Sequence, residues 1–199
     1  MPVTIDINEV KSVSKNLDAL GQIIAVKSAR IAAVIAIDLL TNAQPRVPYD
    51  TGELRRSGKA VLTFGSRGYL NVASGNEDGT VTADLGKISA ERIKGSKSIR
   101  AYVQYSKFNA DGEDVTSIIH YNLFPYGSPS HPHALFPGTG PLFLENPWLE
   151  RQSYYLNIIK EDFSALPADL AKIAAKRSTK RMAKFMVENI ELNIHKYKK

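Results

Sequence analysis

Apolar residues between Gln22 and Asn42 return at helical spacing. Ile24, Ile31, Ile35 and Leu39 form one line, and Ile23, Val26, Val34, Ile37 and Leu40 widen it. A stripe this broad predicts a helix buried on two sides, against a sheet and against a neighbouring subunit. A shorter helix is expected before it, from Glu9 to about Leu20. Asn8 would cap it, with Val10, Val13, Leu17 and Leu20 on one face. Gly21 separates the two. Val3 to Ile7 alternates weakly and reads as a short strand.

Beyond residue 58 the period drops to two. Lys59 to Phe64, Tyr69 to Ala73, Val81 to Leu85, Ile99 to Tyr105 and Val115 to Tyr121 read as strands. The clearest is the fourth, where Ile99, Ala101, Val103 and Tyr105 alternate with Arg100, Tyr102 and Gln104. Lys87 to Lys97 lacks such patterning and reads as a long basic loop, either solvated or facing DNA or a partner. Helical spacing resumes from Trp148 to Phe163. Leu166-Pro167-Ala168-Asp169 then restarts a helix to about His195, with Leu170, Ile173, Ala174, Phe185, Met186 and Ile190 on its apolar face. The fold class this implies is α+β. An antiparallel sheet of four to five strands packs with N-terminal helices, and a long C-terminal helical extension follows. Residues 1–163 would form the α+β domain and 164–199 the basic extension.

The change of period falls on Pro45-Arg-Val-Pro-Tyr-Asp-Thr-Gly-Glu-Leu-Arg-Arg-Ser57. Pro45 has no amide donor and disfavours helix at Gln44, so the preceding helix should stop there. Asp50 and Glu53 have the spacing of a capping box for a short helical turn. Gly52 permits a tight backbone. Leu54 should point inward, and Arg55 and Arg56 outward.

Composition changes this picture little. Hydrophobic residues at 43% and charged residues at 23% are ordinary for one globular domain of 199 residues. The absence of cysteine excludes disulfides and thiolate zinc sites and fits assembly in a reducing cytosol. The first residues lack the basic charge and long apolar core of a signal peptide. Ile31 to Leu40 is too short for a membrane span and contains Asp38. Charge is more telling, because the net +6 is uneven. Residues 1–159 carry 16 basic and 15 acidic side chains, and residues 160–199 carry 10 and 5. Lys172, Lys176, Lys180 and Lys184 fall at every fourth position, with Arg177 and Arg181 beside them. This stripe is either a solvated face, or one meeting DNA or an acidic neighbour through salt-sensitive, sequence-independent contacts.

Candidate chemistry is sparse. Asp50-Thr51-Gly52 matches the triplet in which paired aspartates of an aspartic protease share a proton. The chain has no second copy, and Arg55 and Arg56 follow where apolar strand residues belong. Asn109 to Asp114 is acidic but lacks the ligand spacing and distal glutamate of a calcium loop. His131 and His133 have no acidic or cysteine partner nearby and read as loop residues beside prolines. No phosphate-binding glycine loop, nucleophile elbow or His-Glu-x-x-His element occurs. Neither cofactor nor enzymatic activity is expected.

Val47-Pro-Tyr-Asp-Thr-Gly-Glu-Leu-Arg-Arg-Ser57 resembles the P-x-D-T-G-x-L-R-x-S signature of the head–tail joining proteins of long-tailed phages. These are tail-completion, neck or minor capsid proteins. Tyr121, Gly127, Pro141, Phe143 and Leu144 match, in type and order, that family's final strand ending in Tyr…Gly and its helix-opening P-x-F-L segment. The resemblance spans roughly residues 9–160, and the extension after Phe163 departs from it. It implies a structural protein in the virion neck, assembled in the host cytoplasm. Such a protein forms a homo-oligomeric ring, a hexamer first and a dodecamer second. The ring joins portal or adaptor to tail and leaves a channel for genomic DNA. Asp50, Thr51, Gly52, Leu54, Arg55 and Arg56 would shape a subunit or portal contact. The loop carrying Phe124, Tyr126, His131, His133 and Phe136 would form a second docking surface. The alternative is an accessory virion protein that binds DNA non-specifically through Lys172 to Lys184.

Overall fold

The structure is a computed structural model that describes residues 7–48, 52–65, 68–96, 98–108, 116 and 142–168, with side chains from residue 18. One helix, α1, runs from Ile7 to Ala43. The expected pair of N-terminal helices is therefore a single helix. Gly21 lies inside it with open space around its Cα. A helical glycine costs about 1 kcal/mol, too little to break a helix continued on both sides. Pro45 acts as expected: α1 stops at Ala43 and tightens into a 3-10 turn over Gln44–Arg46.

The chain then forms α2 (Glu53–Ser57), β1 (Lys59–Thr63), β2 (Tyr69–Gly75), β3 (Val81–Ala83), α3 (Ala90–Ile93) and β4 (Arg100–Gln104). A long helix, α4 (Glu145–Ser164), follows and begins three residues before the expected start at Trp148. The four strands make an antiparallel sheet in the order β3-β2-β1-β4. The architecture is α+β. Of the strand expected over Val3 to Ile7 only Ile7 is described, and it belongs to α1. Of the strand expected over Val115 to Tyr121 only Thr116 is described, and it is helical. The helix expected to restart at Leu166 is helical over residues 166–168, and its remainder falls outside the described residues.

The long basic loop expected over 87–97 is partly structured. Ile88 and Ile93 are buried, and Ser89 caps α3 by accepting from the Arg92 amide. Two apolar residues five apart were too few to register as a period.

α1 is the middle layer. Val26, Ala29, Ala33, Ala36 and Leu40 pack on the inner sheet face, with Ala60, Leu62, Leu70 and Val72. Alanine at three of those helix positions brings α1 close to the strands. The other side of α1 presents Ile31, Val34, Ile35 and Leu39 to Tyr155 and Ile158 of α4. The broad stripe is thus buried twice, by the sheet and by the chain's own C-terminal helix. Each fully buried side chain of the Leu62 kind contributes about 1.5–3 kcal/mol.

Candidate functional site

The segment after α1 is organised by a buried amide. Gln44 has no exposed surface. Its Nε2 donates to the main-chain oxygens of Arg55 (2.7 Å) and Asn76 (2.9 Å). Its Oε1 accepts from the Tyr105 hydroxyl at 2.9 Å. One side chain therefore ties the end of α1 to α2, to the turn after β2 and to the end of β4. Burial pushes the Tyr105 phenol well above its usual range, against the opposing pull of the Arg55 charge, so the hydroxyl stays a donor. Two glycines make the space. A Cβ on Gly75 would lie 2.3 Å from Gln44 Nε2, and one on Gly58 would lie 2.6 Å from Tyr105 Cε1.

The Gly52–Ser57 end of the motif is folded against this amide. Gly52 is the N-cap of α2, in the left-handed region at φ 73°. Asp50, half of the expected capping box, lies outside the described residues, and its other half, Glu53, pairs with Lys107 at 3.1 Å. Leu54 points inward and is buried. Arg55 does not point out. Its Nε donates to Val47 O at 3.1 Å, and its other nitrogens reach Glu77 O and Pro45 O at 3.4 Å. A planar five-donor fork can satisfy several carbonyls of a turn at once, which lysine cannot. Arg56 is exposed and pairs with Glu77. Ser57 Oγ donates to Leu54 O at 2.7 Å and accepts from Ser106 N at 3.1 Å. Asp50 and Thr51 lie outside the described residues. Downstream, Gly52 opens a helical turn laced with arginine, not the apolar strand of an aspartic protease.

A second set of contacts fastens α4. Arg151 donates to both oxygens of Asp38 at 2.5 and 2.9 Å, and the Tyr155 hydroxyl donates to Asp38 at 3.0 Å. Burial opposes the Arg151 charge, but the Asp38 carboxylate outweighs it and the pKa is raised. The Arg151 guanidinium lies 4.4 Å from the centre of the Tyr154 ring. Nearer the end of α1, Arg46 grips Glu150 through two bonds of 2.8 and 2.6 Å. These hydrogen bonds raise the Arg46 pKa and hold Glu150 below the usual carboxylate range. Phe143 and Leu144 anchor the turn before α4, as the sequence suggests. Phe143 is buried edge-on against Tyr105, with ring centres 5.1 Å apart.

The remaining candidate residues, Phe124, Tyr126, His131, His133, Phe136, Lys172, Lys176, Arg177, Lys180, Arg181 and Lys184, lie outside the described residues. Among the described residues no group of His, Asp or Glu could hold a metal, and no helix is long and apolar enough to cross a membrane. Sequence reasoning missed Gln44, Tyr105 and Asp38. Gln44 reads as a polar residue before a proline, and only the glycines at 58 and 75 hint that something needs their space.

Residues 11–134 match the HK97-gp10-like family, described as "Bacteriophage HK97-gp10, putative tail-component". No curated protein and no solved structure matches the chain. The match covers more than half of the chain, and the chain belongs to this family of phage tail components. It is a structural protein of the virion.

Proposed function

We propose that this phage tail component forms a closed ring in the virion neck, between portal or adaptor and tail. The ring completes head or tail, lets the two join and leaves an axial passage for DNA. Sixfold symmetry is the first expectation and twelvefold the second. Residues 1–163 form the ring body, and 164–199 form a helical extension whose basic stripe meets DNA or an acidic neighbour.

The observation that carries this reading is the arrangement around Gln44. Gln44, Arg55 and Ser57 bond main-chain atoms of four separate segments, while Arg46, Glu53 and Arg56 form ion pairs with other elements. Such a set makes a rigid shape rather than a reaction centre, and rigidity is what a load-transmitting joint requires. Asp50 and Thr51, between this framework and Pro48, would offer the contact to a portal-side neighbour. Antibody labelling of intact particles tests the location. Label at the head–tail junction is expected; label along the tail tube or on the capsid faces would overturn it.

The basic extension supports a second role in non-specific DNA binding. That role predicts duplex affinity falling steeply with salt and lost on charge reversal at Lys176 and Lys180.

A further inference from the structure

Among the described residues, two opposite faces of the subunit carry exposed apolar side chains. α4 is apolar on two opposite faces. Pro147, Tyr155 and Ile158 are buried on its inner side. On the other side Leu149, Leu156 and Phe163 recur every seven residues and are 56%, 56% and 38% exposed. Seven residues is close to two helical turns, so the three form one line. Trp148 (43%) and Ile159 (37%) broaden it into a stripe. The outward face of a surface helix is normally polar, and a stripe of five exposed apolar side chains, interrupted only by Gln152, marks a docking surface.

The opposite face is the outer side of the sheet, where Val61 of β1 is covered and the tyrosines on either side of β1 stay exposed. Arg100, Tyr102 and Gln104 project there from β4, alternating with Ala101 and Val103 that pack on the core. Tyr69 of β2 and Arg100 of β4 flank Thr63 of β1 in register, and Tyr102 lies beside Val61. Tyr69 is 71% exposed and Tyr102 41%. Exposed tyrosines suit an interface, since each offers a flat apolar ring at small entropic cost. Charge differs between the two faces. The charged residues described on the sheet face are Lys59 and Arg100, whereas α4 carries four acidic side chains against two basic ones, with Glu145 exposed on the outer side.

We infer that each of these faces is covered by a second copy of this chain: the α4 stripe of one protomer docks on the outer sheet face of the next, around Tyr69 and Tyr102. The inference rests on the ring reading above and assigns its two surfaces. Different patches on opposite sides of a subunit give a heterologous contact. Each copy then uses its helix on one neighbour and its sheet on the other, and a fixed rotation closes the set. α4 meeting α4 would instead give a pair and stop.

The absence of cysteine makes the test clean. The full chain carrying Tyr102→Cys with Leu156→Cys is oxidised, alone and in assembled particles, beside each single variant. Expected is a ladder of covalent multimers from the double variant ending in one closed species, with neither single variant cross-linking. Dimers from Leu156→Cys alone would show α4 meeting α4 and overturn the inference. Rings seen by electron microscopy with no ladder would overturn the inference and leave the ring reading standing. Monomers in solution together with no ring in particles would overturn both. Leu156→Asp supplies an independent arm: the side chain faces solvent in the protomer, so its unfolding transition should hold while self-association weakens about tenfold or more. Unchanged association would contradict the assigned surface.

Discussion

The amide clamp at Gln44 and the strapping of α4 onto α1 both hold a distant segment to the same helix, by different means. The clamp is dry, and its three hydrogen bonds leave no solvent to replace a lost partner. The strap relies on Asp38–Arg151 and Arg46–Glu150, all partly exposed, over a small apolar cluster. Buried polar networks are costly to break and fix one geometry. Partly exposed ion pairs are weak and screened by salt. The clamp therefore sets the shape of the domain. The strap holds a helix whose other face remains apolar and exposed, and that helix can adjust when a neighbour arrives.

The largest effect should come from Gln44→Leu. It takes one of two donors from the Arg55 and Asn76 carbonyls and leaves the buried Tyr105 hydroxyl without its acceptor, and urea unfolding should show a loss of about 3–4 kcal/mol. A loss below about 1 kcal/mol would erase the contrast between the two regions. Gly75→Ala comes next, at about 2–3 kcal/mol, because its Cβ collides with the buried amide. Tyr105→Phe keeps the ring against Phe143 and removes one donor, leaving Gln44 Oε1 unpartnered at a cost of about 1–2 kcal/mol.

On the strap, Asp38→Asn should cost about 1 kcal/mol. Its effect should shrink as salt rises, whereas the clamp variants should not respond to salt. Glu150→Gln should have the smallest effect of all. Glu150 has a depressed pKa in the folded chain, so its contribution is present at neutral pH. It is lost as pH falls from the ordinary carboxylate value through the depressed one. Acid titration of the variant should show that part of the pH dependence removed, and an unchanged profile would argue that the Arg46 contact does not form in solution.

How much of this the sequence discloses follows from the range of each interaction. Pro45 acts on its own neighbour, so the end of α1 is legible within a residue. Alternation places β4 along its whole length, while β1 and β2 are legible as short apolar runs on either side of the Gly65–Gly68 turn. The break at Gly21 is misread because a local propensity of about 1 kcal/mol yields to tertiary packing. Arg55 is misread because its partners are carbonyls of Val47, Pro45 and Glu77, and main-chain atoms leave no mark in a sequence. Asp38 and Arg151 stand 113 residues apart, so nothing local ties them. The P-x-D-T-G-x-L-R-x-S pattern points to the right family, while the structure alone shows that Arg55 serves the fold from within.

The account turns on the chain being a structural joint of the virion. Electron microscopy of a phage lysate in which this gene carries an early stop codon tests that most directly. Filled or leaking heads beside separate tails are predicted. Normal joined particles would contradict it.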